Sequence, residues 1–138
     1  MIREIVIANV VTGNDRCYRI DALEKMLSDY NTAFSKYGHY FGGIDFPNNN
    51  ILNINKIAFD VTSMFIEDDY LYGDIEILDN ENGILLKSII GNTVFRTYSS
   101  GTVDPNNNVI VDSLSGIAAI EIYKDSFYGL IGANFKRI

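Results

Sequence analysis

Two hydrophobic periods alternate along the chain. Residues Glu4 to Val11 are apolar and β-branched enough for a buried first strand, and Thr12-Gly13-Asn14-Asp15 supplies the turn residues that end it. The period then lengthens. Leu23, Met26, Leu27, Tyr30, Ala33 and Phe34 recur at three- and four-residue spacing, with Glu24, Lys25, Ser28, Asp29 and Asn31 mostly on the other side. That pattern predicts an amphipathic helix over Asp21–Lys36 whose apolar face packs against a sheet. Asp21-Ala22-Leu23-Glu24 has the form of a capping box, an acceptor at the N-cap with glutamate three residues on, and Gly38 marks the stop.

The stretch His39 to Asn50 is rich in Gly, Asn and aromatic residues and reads as a loop, with Asp45-Phe46-Pro47 placing a proline-restrained residue near its end. From Ile57 the period is two. Ile57, Phe59, Val61, Ser63 and Phe65 alternate with Ala58, Asp60, Thr62 and Met64, as in a strand with one buried side. Glu67-Asp68-Asp69 turns into Tyr70–Leu78, where Leu71, Gly73, Ile75 and Ile77 share one parity, so the two segments form a predicted hairpin. A tight turn at Glu81-Asn82-Gly83, a short helix over Ile84–Ile90 capped by Gly91-Asn92, and a strand over Thr93–Tyr98 ending in a loop of small residues follow. Asp104-Pro105-Asn106-Asn107-Asn108 is an exposed turn. Val109–Val111 and Ile117–Tyr123 are two more strands, and Phe127–Ile138 is an apolar, Gly-punctuated tail expected to form a last helix or strand.

These elements predict an α+β, mainly β fold: a small antiparallel, closed or nearly closed barrel of six to seven strands, with one long and one or two short helices packed outside. Closure is favoured because it removes exposed strand edges. Residues 1–138 read as a single domain, long enough to bury roughly two-thirds of the unfolded surface.

Composition narrows the partners. A net charge of −7, with eleven basic residues scattered rather than clustered, argues against nucleic acid. Cys17 is the sole cysteine, which excludes an intramolecular disulfide and a multi-cysteine metal site; it reads as a small buried apolar group. MIREIVIANVV is too short and too charged for a signal peptide or membrane span, so no membrane is expected and the chain stays in the cytoplasm or in a particle assembled there. Carboxylates gather at Glu67-Asp68-Asp69 and along Asp79-Asn80-Glu81-Asn82-Gly83 without the calcium-loop pattern. Gly38, Gly42 and Gly43 lack phosphate-loop spacing. No metal, nucleotide or other cofactor is therefore expected. Phe and Tyr make up 12% of the chain, too many for all to be enclosed, and exposed tyrosines among Asn and Gly suit a protein interface.

A particular order of short motifs runs through this frame. Ala8-Asn9 precedes Thr12-Gly13-Asn14-Asp15-Arg16-Cys17-Tyr18, the helix leads to Gly42-Gly43-Ile44-Asp45-Phe46-Pro47, and Tyr72-Gly73-Asp74-Ile75-Glu76-Ile77-Leu78-Asp79 leads to Gly83, Leu86-Lys87 and Ile89-Ile90. Over about residues 5 to 128 this order resembles the capsid-maturation (prohead) proteases of tailed bacteriophages, relatives of the herpesvirus assemblins. The resemblance implies a general-base histidine in a His-Pro pair, a nucleophile in a Ser-Ser-Arg-Gly segment, and an acid near the end of the domain that orients the base. Here Phe46 occupies the histidine position, and phenylalanine accepts no proton. Anchoring on Gly101-Thr102-Val103 places Arg96 or Thr97 at the nucleophile, whereas a slide of two or three residues brings Ser99 or Ser100 there. Glu121 falls within a residue or so of the acid position, or is a solvent-facing strand residue.

A serine without a base is a poor nucleophile at neutral pH, so the leading expectation is a noncatalytic, structural virion protein of this fold. It would bind capsid or head-tail connector subunits through the loops around His39–Asn50 and Ser99–Asn108, and symmetric shells are compatible with a homo-oligomer. The competing expectation is an active assembly protease with an altered triad of Ser99 or Ser100, His39 and an acid such as Glu121. His39 is the sole imidazole, seven residues before Phe46, and reads otherwise as an exposed or aromatic-packed side chain; Asp45 either orients it or begins a turn. A third expectation is an unrelated small barrel that binds a partner protein or glycan.

Overall fold

The computed structural model describes residues 1–13 and 15–125, with the backbone alone of 136–137. Asn14 of the first turn, and the tail expected over Phe127–Ile138 apart from that short backbone, lie outside the described residues. In chain order the elements are β1 (Ile2–Ile7), α1 (Ile20–Tyr37), β2 (Phe41–Ile44), β3 (Ile57–Glu67), β4 (Tyr70–Ile77), α2 (Glu81–Ile89), β5 (Thr93–Val103), β6 (Val109–Glu121) and β7 (Lys136–Arg137). They form a mainly β, α+β fold. One sheet runs β1-β4-β3-β2-β6-β5-β7 and is antiparallel except at β2–β6 and β5–β7.

The sheet curls into a half-barrel. Phe59 on β3 and Phe95 on β5 stand three strand positions apart, about 14 Å in a flat sheet, yet their ring centroids lie 5.0 Å apart. Around them Ile5, Val61, Leu71 and Ile117 form a continuous core with Ala22, Leu23, Met26 and Tyr30 from the apolar face of α1. Each fully buried Leu or Met side chain contributes about 2 kcal/mol. Tyr30 also reaches across to donate its hydroxyl to the Val61 carbonyl at 2.7 Å, satisfying the phenol that burial would otherwise strand.

The long helix and the β3–β4 hairpin follow the sequence pattern, while several boundaries differ for identifiable reasons. α1 starts one residue before the expected position, with Arg19 as N-cap and no side-chain cap, so Asp21 sits in the first turn and acts through the helix dipole instead of as a capping acceptor. Gly38 ends it in the left-handed conformation (φ 73°) and returns its N–H to the Phe34 carbonyl. Glu81-Asn82-Gly83, expected as a tight turn, is the first turn of α2: Asn80 is its N-cap, accepting from the Gly83 N–H at 2.7 Å. β1 stops at Ile7, because Asn9 takes φ 63° and leaves the strand.

The expected loop over His39–Asn50 contains β2, which joins the two halves of the sheet. Four residues are too short to display a period, and the glycines there serve close approach: a Cβ at Gly42 would overlap the Phe59 ring and the Ile117 carbonyl. The alternation expected along β3 holds only to Val61. A bulge between Val61 and Ser63 then flips the parity, so Met64 enters the core while Phe65 faces out. β5 continues through the expected small-residue loop to Val103, and the two expected strands after the Asp104–Asn108 turn are one, β6, because each is kept in step with the other through two bulges. Cys17 is half-buried, its N–H bonded to the Asn107 carbonyl.

The open side of the half-barrel lies between β5 and β1, and a side chain fills it. Arg96, 4% exposed, makes a two-pronged ion pair with Asp125, 0% exposed, at 2.9 and 2.8 Å. Its remaining nitrogen donates to the carbonyls of Glu4 (3.0 Å) and Ile5 (3.4 Å) on β1 and of Phe95 beside it (3.0 Å). A planar guanidinium with donors on several sides suits this task.

Candidate functional site

The convex face of the sheet carries a second, smaller apolar cluster. Phe95 and Thr97 share the parity of the core, and Thr97 is buried opposite Ile117. Val94 and Tyr98, on the other parity, pack with Ala118, Ile120 and Phe46. Phe46 meets the Tyr98 ring edge-on, centroids 6.1 Å apart and planes at 82°. Tyr98 lies so close over Gly116 that a Cβ there would overlap its ring, and burial raises its pKa. Phe46 and Thr97 are therefore on opposite faces of the sheet: Phe46 convex, Thr97 toward the core.

His39 sits elsewhere in this landscape. The left-handed cap at Gly38 turns the chain sharply out of α1, so His39 and Tyr40 arrive side by side at β3. There Asp60, 5% exposed, takes both: Oδ2 lies 2.6 Å from His39 Nδ1, and Oδ1 accepts the Tyr40 N–H at 2.8 Å. Two partners make the buried carboxylate tolerable. The hydrogen bond at Nδ1 holds the imidazole in place and leaves Nε2 as its other polar atom. The ring stacks on Phe41, centroids 4.9 Å apart, and its side chain stays 58% exposed.

A groove of about 390 Å³ opens beside it, lined by Tyr37, His39, Phe41, Leu52, Tyr98 and Ser115. Ser115 is the extra residue of the bulge facing Tyr98 and Ser99. A second groove, about 450 Å³, runs on from Leu52 along Ile44, Asp45, Phe46, Pro47, Ile51 and Lys56. Lys124 pairs with Asp45 at 3.3 Å, and Asp45 has φ 67°, a turn conformation.

The candidate hydroxyls are occupied differently. Ser99 is buried, and its Oγ has no hydrogen-bond partner among the described residues, while its carbonyl accepts from Asn50 at 3.4 Å. Ser100 Oγ lies 2.8 Å from Ser113 Oγ. No hydrogen bond joins either to His39 among the described residues. Glu121 stands opposite Thr93 at the far end of β6, six residues from Ser115 and so about 20 Å along the strand; there it accepts from Tyr123, raising that phenol's pKa. Ser99, Ser100, Glu121 and His39 are thus not brought together. Asp60 and Ser115 escaped the sequence reading, although a lone carboxylate in Ile57-Ala58-Phe59-Asp60-Val61 is a visible oddity. No three metal-ligating side chains converge among the described residues, and no helix there is long and apolar enough to cross a membrane.

The curled sheet with a long helix laid against its core is a prohead-protease-like fold. Among solved structures it matches the capsid assembly protease of bacteriophage T4, gp21, with a TM-score of 0.70 over 88% of this chain and 80% of that one. At 21% identity the likeness is one of fold. No family model matches the sequence, and no curated protein does.

Proposed function

We propose that this chain is a single-domain, noncatalytic relative of the phage prohead proteases that serves as a structural protein of a virion, made in the host cytoplasm and bound to capsid or head-tail connector subunits. The observation that carries this reading is the Phe46–Tyr98 contact, an aromatic pair at the position that the resemblance assigns to the family's base. The aromatic, Asn-rich segments around it, from Phe41 to Asn50 and along the adjoining grooves, then serve as the contact surface. A homo-oligomer is consistent with such a role.

The His39–Asp60 pair favours a second reading, an assembly protease with an altered triad. Asp60 would then orient the base in place of Glu121, and Ser115 would be the hydroxyl in the same groove. One experiment separates the two: mass spectrometry of purified particles, together with incubation of the protein with scaffold and capsid proteins and labelling by a fluorophosphonate. An intact, high-copy virion component with no cleavage and no labelled serine supports the structural reading. Site-specific cleavage lost in His39→Ala overturns it.

A further inference from the structure

The half of the convex face formed by β3, β4 and β1 takes no part in the grooves described above. Along β4, Leu71, Gly73 and Ile75 are buried, so Tyr70, Tyr72, Asp74 and Glu76 stand on the other face. Phe65 lies directly opposite Tyr72, and Glu67 opposite Tyr70. The three rings form a continuous stack: Phe65 to Tyr72 at 5.2 Å and 22°, Tyr72 to Tyr70 at 5.6 Å and 24°. Phe65 remains 36% exposed. Tyr70 and Tyr72 are half-buried, so the ladder presents part of its ring surface to solvent where a surface strand ordinarily places polar side chains.

Carboxylates outnumber cations around the ladder. Glu67, Asp68 and Asp69 form the hairpin tip, and Asp74 and Glu76 continue the row beyond Tyr72. Glu67, Asp68, Asp69 and Glu76 enter no ion pair among the described residues, and the Met1 ammonium meets Asp74 at 2.9 Å. Arg3, the nearest guanidinium on β1, is directed at Met1 Sδ. Burial first, and then Tyr70, Glu4, Glu67 and Asp68, raise the Tyr72 pKa. Aromatic faces attract cations, and arginine guanidinium groups stack on them while pairing with neighbouring carboxylates.

We propose that the Phe65–Tyr72–Tyr70 ladder is a docking surface for an arginine- and lysine-bearing segment of a partner protein. Guanidinium groups lie over the rings, and the flanking carboxylates of Glu67, Asp68 and Glu76 hold the segment's register. This surface is separate from the grooves at Phe46 and His39 and does not depend on the role assigned to them.

The test uses the full chain and a fluorescein-labelled oligo-arginine peptide, with oligo-glutamate and a neutral oligosaccharide as comparison probes, read by fluorescence anisotropy. Oligo-arginine binds, and more weakly as salt rises. Tyr70→Val with Tyr72→Val weakens it by about tenfold, in line with two lost cation–ring contacts, whereas Tyr72→Phe retains it. Circular dichroism confirms that the variants are folded, and perturbation of tyrosine ring signals in the NMR spectrum of the unaltered protein locates the peptide without any substitution. Absence of binding, binding indifferent to the Tyr→Val changes, ring signals that do not move, or tighter binding of the neutral oligosaccharide would each overturn the proposal.

Discussion

Asp125→Ala tests the closing of the half-barrel most directly. It removes the carboxylate that meets the enclosed Arg96 guanidinium, and removal of one partner from a buried ion pair costs about 3–5 kcal/mol. At about 3 °C per kcal/mol for a chain of this length, the thermal midpoint falls by about 10–15 °C. The charge is only part of the role. In Arg96→Met with Asp125→Leu this ion pair is gone, yet the carbonyls of Glu4, Ile5 and Phe95 lose the donor they share, and loss of a hydrogen-bond partner from a buried group costs about 1–3 kcal/mol. The double variant therefore recovers only part of the single variant's loss. Arg96→Lys keeps the charge but has no planar fork to serve Asp125 and β1 together, and it too is destabilised. The assay is urea unfolding followed by circular dichroism, with thermal melts beside it. A loss below about 1 kcal/mol for Asp125→Ala, or full recovery in the double variant, would refute the closing role.

Two further outcomes follow from buried polar groups. Asp60→Ala strands the Tyr40 N–H and frees His39, costing about 2–3 kcal/mol, whereas His39→Ala, removing a largely exposed ring, costs less than about 1 kcal/mol; equal losses in thermal melts would show that the imidazole, not the main-chain bond, anchors the carboxylate. Burial pushes Tyr18 up to about 12, against Arg16 and Arg96, which lower it. The unfolded phenol ionises near its ordinary value of 10.0 and the folded one about two units higher, so this contribution is intact below pH 10 and is lost as pH rises toward 12, by about 3 kcal/mol in all. Urea midpoints measured across that window should fall steeply, and Tyr18→Phe should flatten the fall; an unchanged slope would exclude Tyr18 as its source.

Much of the architecture is written locally. The face of α1, its stop at Gly38, the β3–β4 hairpin and the Asp104–Asn108 turn each depend on residues a few positions apart, within the range over which period, turn chemistry and capping operate. The motif order around Phe46 likewise pointed to the fold. Other features answer to distances that no local window contains. The Thr62 bulge decides that Met64 rather than Phe65 enters the core, and it appears only once β3 is registered against β4. The Gly42-Gly43 stretch becomes a central strand because Phe59 and Ile117 close over it. His39 meets Asp60 across 21 positions and Arg96 meets Asp125 across 29, while Arg96 reaches Glu4 across 92. Such pairs arise from strand register and the curl of the sheet, since side chains distant along the chain meet only after the intervening pairings are set. Residue types, periods and the order of motifs were enough for most of the elements and the likeness of the fold; which polar groups were to be buried together depended on how those elements closed.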